Sequence, residues 1–133
     1  MGKWMIPIMF KRIDHVEIIP SDIEKSIKFY TEVLGFKLKE RFKVESPPLE
    51  EVAFLQLGDT MLEFLKVKDP TSNSEQWQVG YKMMALEVED MDKALVYLAS
   101  KGIKPTWGPI DLGKSKRAEV KDPDGLSIEL RQW

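Results

Sequence analysis

The chain has 133 residues, 43% hydrophobic and 32% charged, enough for one sizeable core and too few for two independent domains. Twenty Lys and Arg against 22 Asp and Glu leave a formal charge of -2, so no basic field is available to grip a phosphate backbone, and nucleic acid is not an expected partner. The absence of Cys removes disulfides, thiolate metal sites and cysteine nucleophiles, and leaves oxygen and imidazole to supply any chemistry.

The first apolar run, Trp4 to Phe10, is interrupted by Pro7, is far too short to span a bilayer and lacks a following small-residue cleavage site. A cytoplasmic protein without membrane contact is expected, with Met1 to Lys11 either a frayed arm or an added strand. A strand follows over Arg12 to Ile19. Ser21 with Glu24 three residues on forms a capping box, and Ile23, Ile27, Tyr30 and Leu34 recur at helical spacing, predicting a helix from Asp22 to Leu34 that stops at Gly35. Three strands come next, Phe36 to Glu45, Glu51 to Leu57 and Met61 to Val67, separated by Ser46-Pro47-Pro48 and Gly58-Asp59-Thr60. Simple alternation along the first of these puts Lys37, Lys39, Arg41 and Lys43 on one side, opposite Phe36, Leu38, Phe42 and Val44, either a solvated face or one that borders a binding cup and favours an anionic ligand.

Residues 68–81, with Pro70, Thr71, Ser72, Asn73 and Ser74, read as a linker in which Trp77 has no obvious place. Beyond it lie a strand from Lys82 to Val88 and a helix opened by Asp90, carrying Met91, Ala94, Leu95 and Leu98 and ended by Gly102. A short strand near Lys104 to Trp107 and two more over Lys116 to Lys121 and Leu126 to Gln132 complete the chain, the last two joined by Asp122-Pro123-Asp124-Gly125.

These two halves repeat. Shifted by 68 positions, His15 falls on Met83, Asp22 on Asp90, Lys25 on Lys93 and Ile27 on Leu95; further on, Gly35 meets Gly102 and Leu62-Glu63-Phe64 meets Ile128-Glu129-Leu130. The single domain over 1–133 therefore divides into a module at about 12–67, the linker, and a module at about 82–132.

Side-chain alternation assigns faces. Val16 and Ile18, Leu62 and Phe64, Met84, Leu86 and Val88, and Ile128 and Leu130 form the sides that receive helices. His15, Glu63, Met83 and Glu129 point the other way, and Glu17 and Glu87, read as a matched pair, share that facing without an assigned role. A pseudo-twofold axis between the modules would gather His15, Glu63 and Glu129 around one centre. Two carboxylates that close repel unless a cation or a shared proton intervenes, and a divalent ion such as Zn, Ni, Mn or Mg accepts this oxygen and imidazole mixture.

The chain resembles the vicinal-oxygen-chelate superfamily, which includes glyoxalase I, bleomycin-resistance proteins and extradiol dioxygenases. The likeness is carried by Asp14-His15-Val16, Asp22 with Phe29-Tyr30 and Leu34-Gly35-Phe36, Leu62-Glu63-Phe64, Ala85 to Asp90, and Asp122 to Gly125 leading to Ile128-Glu129-Leu130. The resemblance implies an α+β fold of two paired βαβββ modules, curled into a mixed-sheet cup with helices outside, and a homodimer. It makes His15, Glu63 and Glu129 three metal ligands and puts Met83, a soft thioether, where the family's fourth ligand stands.

That pattern implies a glyoxalase-like lyase or isomerase, similar to lactoylglutathione lyase, rather than a dioxygenase. In this reading a divalent ion chelates adjacent oxygens of a small-molecule substrate while Glu129, or Glu63, moves a proton at the neighbouring carbon. Arg117 is a candidate to bind an anionic group, and Phe54, Gln56, Met83 and Trp107 are candidates to line the cup. The alternative is a metal-free binding protein of the bleomycin-resistance type, which needs the cup but not the carboxylates.

Overall fold

A computed structural model of the chain describes residues 9, 12–71 and 79–133. Trp77 and nearly all of the segment 1–11 lie outside the described residues.

Asp22, and not Ser21, starts the first helix. Its carboxylate accepts from the backbone N–H groups of Glu24 (3.0 Å) and Lys25 (3.2 Å), so the capping box expected at Ser21 does not form. Ser21 is used elsewhere: its backbone N–H and hydroxyl both donate to Asp124 in the other module. Helix α1 (Ile23–Lys28) continues directly into a π-helical turn over Phe29–Val33, where the adjacent Phe29 and Tyr30 are both buried. The chain then reverses through Gly35 at φ +85°, a backbone conformation that side-chain-bearing residues avoid.

Around this helix, β1 (His15–Ile18), β2 (Lys37–Ser46), β3 (Leu49–Leu57) and β4 (Thr60–Val67) form a four-stranded sheet in the order β1-β4-β3-β2, with β1 parallel to β4 and the other pairs antiparallel. The second module supplies β5 (Met84–Glu87), α2 (Met91–Ser100), β6 (Trp107–Asp111), β7 (Lys116–Lys121) and β8 (Ser127–Gln132). Its sheet has the order β5-β8-β7-β6, again with one parallel pair. The two sheets repeat one topology, and the α+β architecture of βαβββ-like modules that the resemblance implies is present.

Strand β6 begins at Trp107, later than the sequence pattern suggests, because Pro105 has no N–H to give and the ladder opens with Thr106 N–H donating to Glu119 at 2.8 Å. A second difference lies in β2. The register breaks between Leu38 and Glu40, so Leu38 stands beside Leu55 on the helix side while Glu40 and Phe42 stand beside Phe54 and Val52 on the other. The four basic residues therefore do not share a face. Lys37 pairs with Gln56, whereas Arg41 and Lys43 turn toward the helix side, where Arg41 bonds Glu51 at 3.0 Å and also reaches Glu24 on α1.

Register also fixes the internal correspondence. Val16 pairs with Leu62 and Met84 with Ile128, so Glu63 corresponds to Glu129 and Glu17 to Ala85; Glu87 pairs with Arg131 and is not the counterpart of Glu17. The helix-facing residues of both sheets, among them Leu55, Phe64, Ala118, Val120, Ile128 and Leu130, join Ile23, Tyr30, Met91 and Leu98 in one buried cluster. Burial of these side chains at roughly 25 cal/mol per Å² of apolar surface is the main force holding the modules together. Polar ties add to it: Tyr97 donates to the Val33 carbonyl at 2.7 Å and Tyr30 to Asp122 at 2.9 Å. Among the described residues, no helix is long and apolar enough to cross a membrane.

Candidate functional site

With the helix-facing sides committed to the core, chemistry falls to the opposite sides of the two sheets. On the first sheet β1 pairs in parallel with β4, which sets Glu17 directly beside Glu63, and His15 beside Met61 two residues back. His15 Nε2 lies 3.7 Å from a Glu17 oxygen and 3.9 Å from a Glu63 oxygen. Its Nδ1 is 2.9 Å from the Asp14 carboxylate, which fixes the ring orientation and favours the proton on Nδ1, leaving Nε2 free to face the two Glu residues.

An apolar wall adjoins this cluster. Phe54, opposite Glu63 on β3, meets the His15 ring edge-on with centroids 6.0 Å apart, and Phe42 follows at 6.4 Å from Phe54. Val52, paired with Phe42 and Leu65, continues the same side and is buried there. Gln56 sits beside Met61, one strand removed from His15, and donates to the Gly58 carbonyl at 3.1 Å.

The cluster is electrostatically tense. The hydrogen bond that His15 donates to Asp14, followed by the neighbouring Glu63 charge, raises the His15 pKa above its ordinary 6.5, and the same bond lowers that of Asp14. Glu63, with 13% of its side chain exposed, is raised above 4.5, first by desolvation and then by the adjacent Glu17. A cation would relieve both strains.

One imidazole nitrogen and two carboxylates, each offering an atom within 4.8 Å of the others, form the only such group among the described residues. Ligands about 2.1 Å from a metal stand about 3.0–3.4 Å from one another, so modest side-chain closure suffices, and the mixture suits a borderline or hard divalent ion. The donor set fits a metal.

Glu129 is not part of that group. It occupies the corresponding side of the second sheet, where one oxygen lies 3.0 Å from Arg117 and the other 2.9 Å from Arg131. Within the chain the residues that stand together are His15, Glu17 and Glu63, while Glu129 lies on the second sheet outside that group. Arg117 also bonds Glu119 at 2.9 Å, and its guanidinium lies 4.7 Å from the Trp107 ring centroid. Met83 precedes β5 and is half-buried.

Sequence reasoning left Glu17 without a role and passed over Asp14 as the orienting partner and Arg131 altogether. The signal for Glu17 and Arg131 was present: each stands two residues from a candidate ligand, and so shares its facing.

Known proteins resemble this chain in sequence and in fold. The chain is 33% identical over 129 residues to a lactoylglutathione lyase of Neisseria meningitidis, covering 91% of this chain and 90% of that one. It is 31% identical over 126 residues to lactoylglutathione lyase GLX1 of Arabidopsis thaliana, covering 92% of this chain but only 44% of the plant protein, so it spans less than half of that relative. The crystal structure of a glyoxalase family protein from Enterococcus faecalis superposes with a TM-score of 0.79 at 29% identity, covering 92% of this chain and 98% of that one. Residues 12–130 match the model of one family, and the chain belongs to the Glyoxalase/Bleomycin resistance protein/Dioxygenase superfamily.

Proposed function

We propose that this protein is a glyoxalase-like, divalent-metal-dependent lyase or isomerase, acting in the cytoplasm as a homodimer on a small substrate with two neighbouring oxygens, as lactoylglutathione lyase does by its name. The observation that carries this reading is the cluster of His15, Glu17 and Glu63 beside the apolar wall of Phe54 and Phe42. His15 and Glu63 would hold the ion, with Glu17 next to them. When bound, the metal supplies a Lewis acid that polarises the substrate oxygens.

The protein's own residues do the rest. Asp14 holds the His15 ring so that Nε2 faces inward. Phe54 and Phe42 seat the apolar part of the substrate and exclude water from the reacting carbon. Glu63, half-desolvated and held above its ordinary pKa, accepts and returns the proton at that carbon. This gives Glu63 the proton-transfer role that sequence alone favoured for Glu129, whose two oxygens are occupied by Arg117 and Arg131.

Calorimetric titration with Ni or Mn, paired with a lactoylglutathione turnover assay, tests the reading. Wild-type protein should bind about one ion per chain, and Glu63→Gln should lose at least about tenfold in affinity and most of the activity. Absence of binding and turnover would leave the second reading, a metal-free small-molecule binding protein. Met83 in place of a stronger ligand favours it, and it would show as ligand-induced thermal stabilisation in chelator-treated protein.

A further inference from the structure

Strand β2 is the outer strand of the first sheet, paired among the described residues with β3 alone. Its own apolar residues do little to fix which way it faces. Of its ten residues only Arg41 and Val44 are even half-buried, while Leu38 is 45% exposed and Phe42 40%. A strand so weakly anchored by burial has a competing pairing close at hand, because a shift of one residue sends every later side chain to the opposite face.

Leaving out the irregularity at Lys39 gives that competitor. From Leu38 beside Leu55, unbroken alternation would seat Phe42 opposite Glu51 on the helix side and carry the anion Glu40 to the same side as Glu51. Lys39 and Arg41 would then stand opposite Phe54 and Val52, in the places that Glu40 and Phe42 hold.

In the observed pairing Arg41 is gripped on the helix side. Its guanidinium forks onto Glu51, with Nε on one oxygen and Nη2 on the other, both at 3.0 Å, and it reaches Glu24 on α1 from Nη1 at 3.3 Å and also from Nη2. Lone exposed ion pairs contribute little, but Glu51 keeps only 14% of its side chain exposed, and a two-pronged Arg–carboxylate pair holds geometry as well as charge. Successive strand residues face opposite ways, so a clamped Arg41 sends Phe42 to the other side, where its ring lies 6.4 Å from Phe54 and Phe54 meets His15. All of these residues belong to one module.

We propose that Arg41 is a positioning residue for the ligand wall: by gripping Glu24 and Glu51 on the helix side, it holds β2 in the pairing that presents Phe42 beside Phe54. The inference rests on the reading above in taking that wall as the side that meets substrate. It goes beyond it by giving a role in recognition to a residue on the opposite face.

The test follows nuclear Overhauser contacts between the Phe42 and Phe54 rings in wild type, Arg41→Lys and Arg41→Leu. Alongside it, steady-state kinetics use the glutathione hemithioacetals of methylglyoxal and phenylglyoxal, which differ by a methyl against a phenyl group. Both Arg41 variants should lose the ring contacts, because Lys keeps the charge but not the fork. KM for the phenyl substrate should rise at least about threefold, with kcat and the methyl KM held within about twofold. Phe42→Ala should show the same loss of preference, and adding Arg41→Lys to it should cost nothing more, since one residue acts through the other. Should the Arg41 variants fail to fold, Glu24→Gln, at an exposed side chain, loosens the same grip and should shift the ring contacts in the same direction. Ring contacts that persist in the Arg41 variants, or losses that multiply in the double variant, overturn the inference. A wild type that turns over neither substrate removes the proposed activity, and the ring contacts then decide whether Arg41 holds Phe42.

Discussion

The Tyr30 hydroxyl donates a 2.9 Å hydrogen bond to the Asp122 carboxylate, joining the helix of the first module to the β7–β8 turn of the second. Tyr30 is 1% exposed, and its ring packs edge-on against Phe36 and Phe64. Asp122 also accepts from the backbone N–H groups of Asp124 (2.8 Å) and Leu126 (2.9 Å), so the same carboxylate shapes the turn. Tyr30→Phe keeps the packing and removes one donor from a buried charged acceptor, and should cost about 1.5–3 kcal/mol. Asp122→Ala, which also releases the turn, should cost more. Urea unfolding of the two variants checks the order.

Gly108 opens a second expectation. It adopts φ +74°, and a Cβ there would lie 2.8 Å from the Arg117 carbonyl oxygen and 3.2 Å from the Ala118 Cα, both backbone atoms that cannot move aside. Gly108→Ala should therefore destabilise the protein by about 2–4 kcal/mol, combining backbone strain with overpacking. The same push acts on β7 beneath Arg117. Thermal melting gives the magnitude.

The apo protein should respond to pH in a definite direction. His15 has a folded pKa raised above 6.5, chiefly by Asp14, so its stabilising contribution is complete below 6.5 and is lost as pH rises through the folded value. Glu63 is also raised, above 4.5, by desolvation, so the folded state holds its proton more tightly and gains stability as pH falls through that value. Both groups make the chelator-treated protein less stable toward alkaline pH. Acting against them at the acid end, Asp14 and Glu51, whose pKa values are lowered, lose their contributions as pH drops below the ordinary carboxylate range. A scan of melting temperature against pH should show an alkaline limb that flattens in His15→Asn. Added Mn or Ni should reverse that limb, because the ion competes with protons for His15 and Glu63 and binds more tightly as pH rises.

Much of the candidate site was legible in the amino-acid order. Alternation alone put His15, Glu17 and Glu63 on the side away from Val16, Ile18, Leu62 and Phe64, and the structure places them there, because a strand that must bury one set of apolar residues has no choice about the other. Helix α1 and the π-helical turn that continues it were legible from Ile23, Ile27 and Tyr30, but the cap was not. Ser21 and Asp22 are both good caps, and what separated them was Asp124, a residue 103 positions from Ser21, which takes the serine away. The four basic residues of β2 were misplaced because one irregularity near Lys39 inverts every facing after it, and nothing in a Lys-Leu-Lys-Glu-Arg-Phe run announces an extra residue.

The order of residues by itself determined that two copies of one module exist, which sides of their strands are apolar, and that, without Cys, any ligand set would be drawn from imidazole and carboxylate. Only the tertiary structure decided which carboxylates stand together. Alternation gives facing but not neighbours: it put Glu17 and Glu129 on the same side as Glu63, and the internal repeat then favoured Glu129 and left Glu17 without a role. Strand pairing then set Glu17 against Glu63, and set Glu129 between two arginines whose mutual repulsion needs an anion.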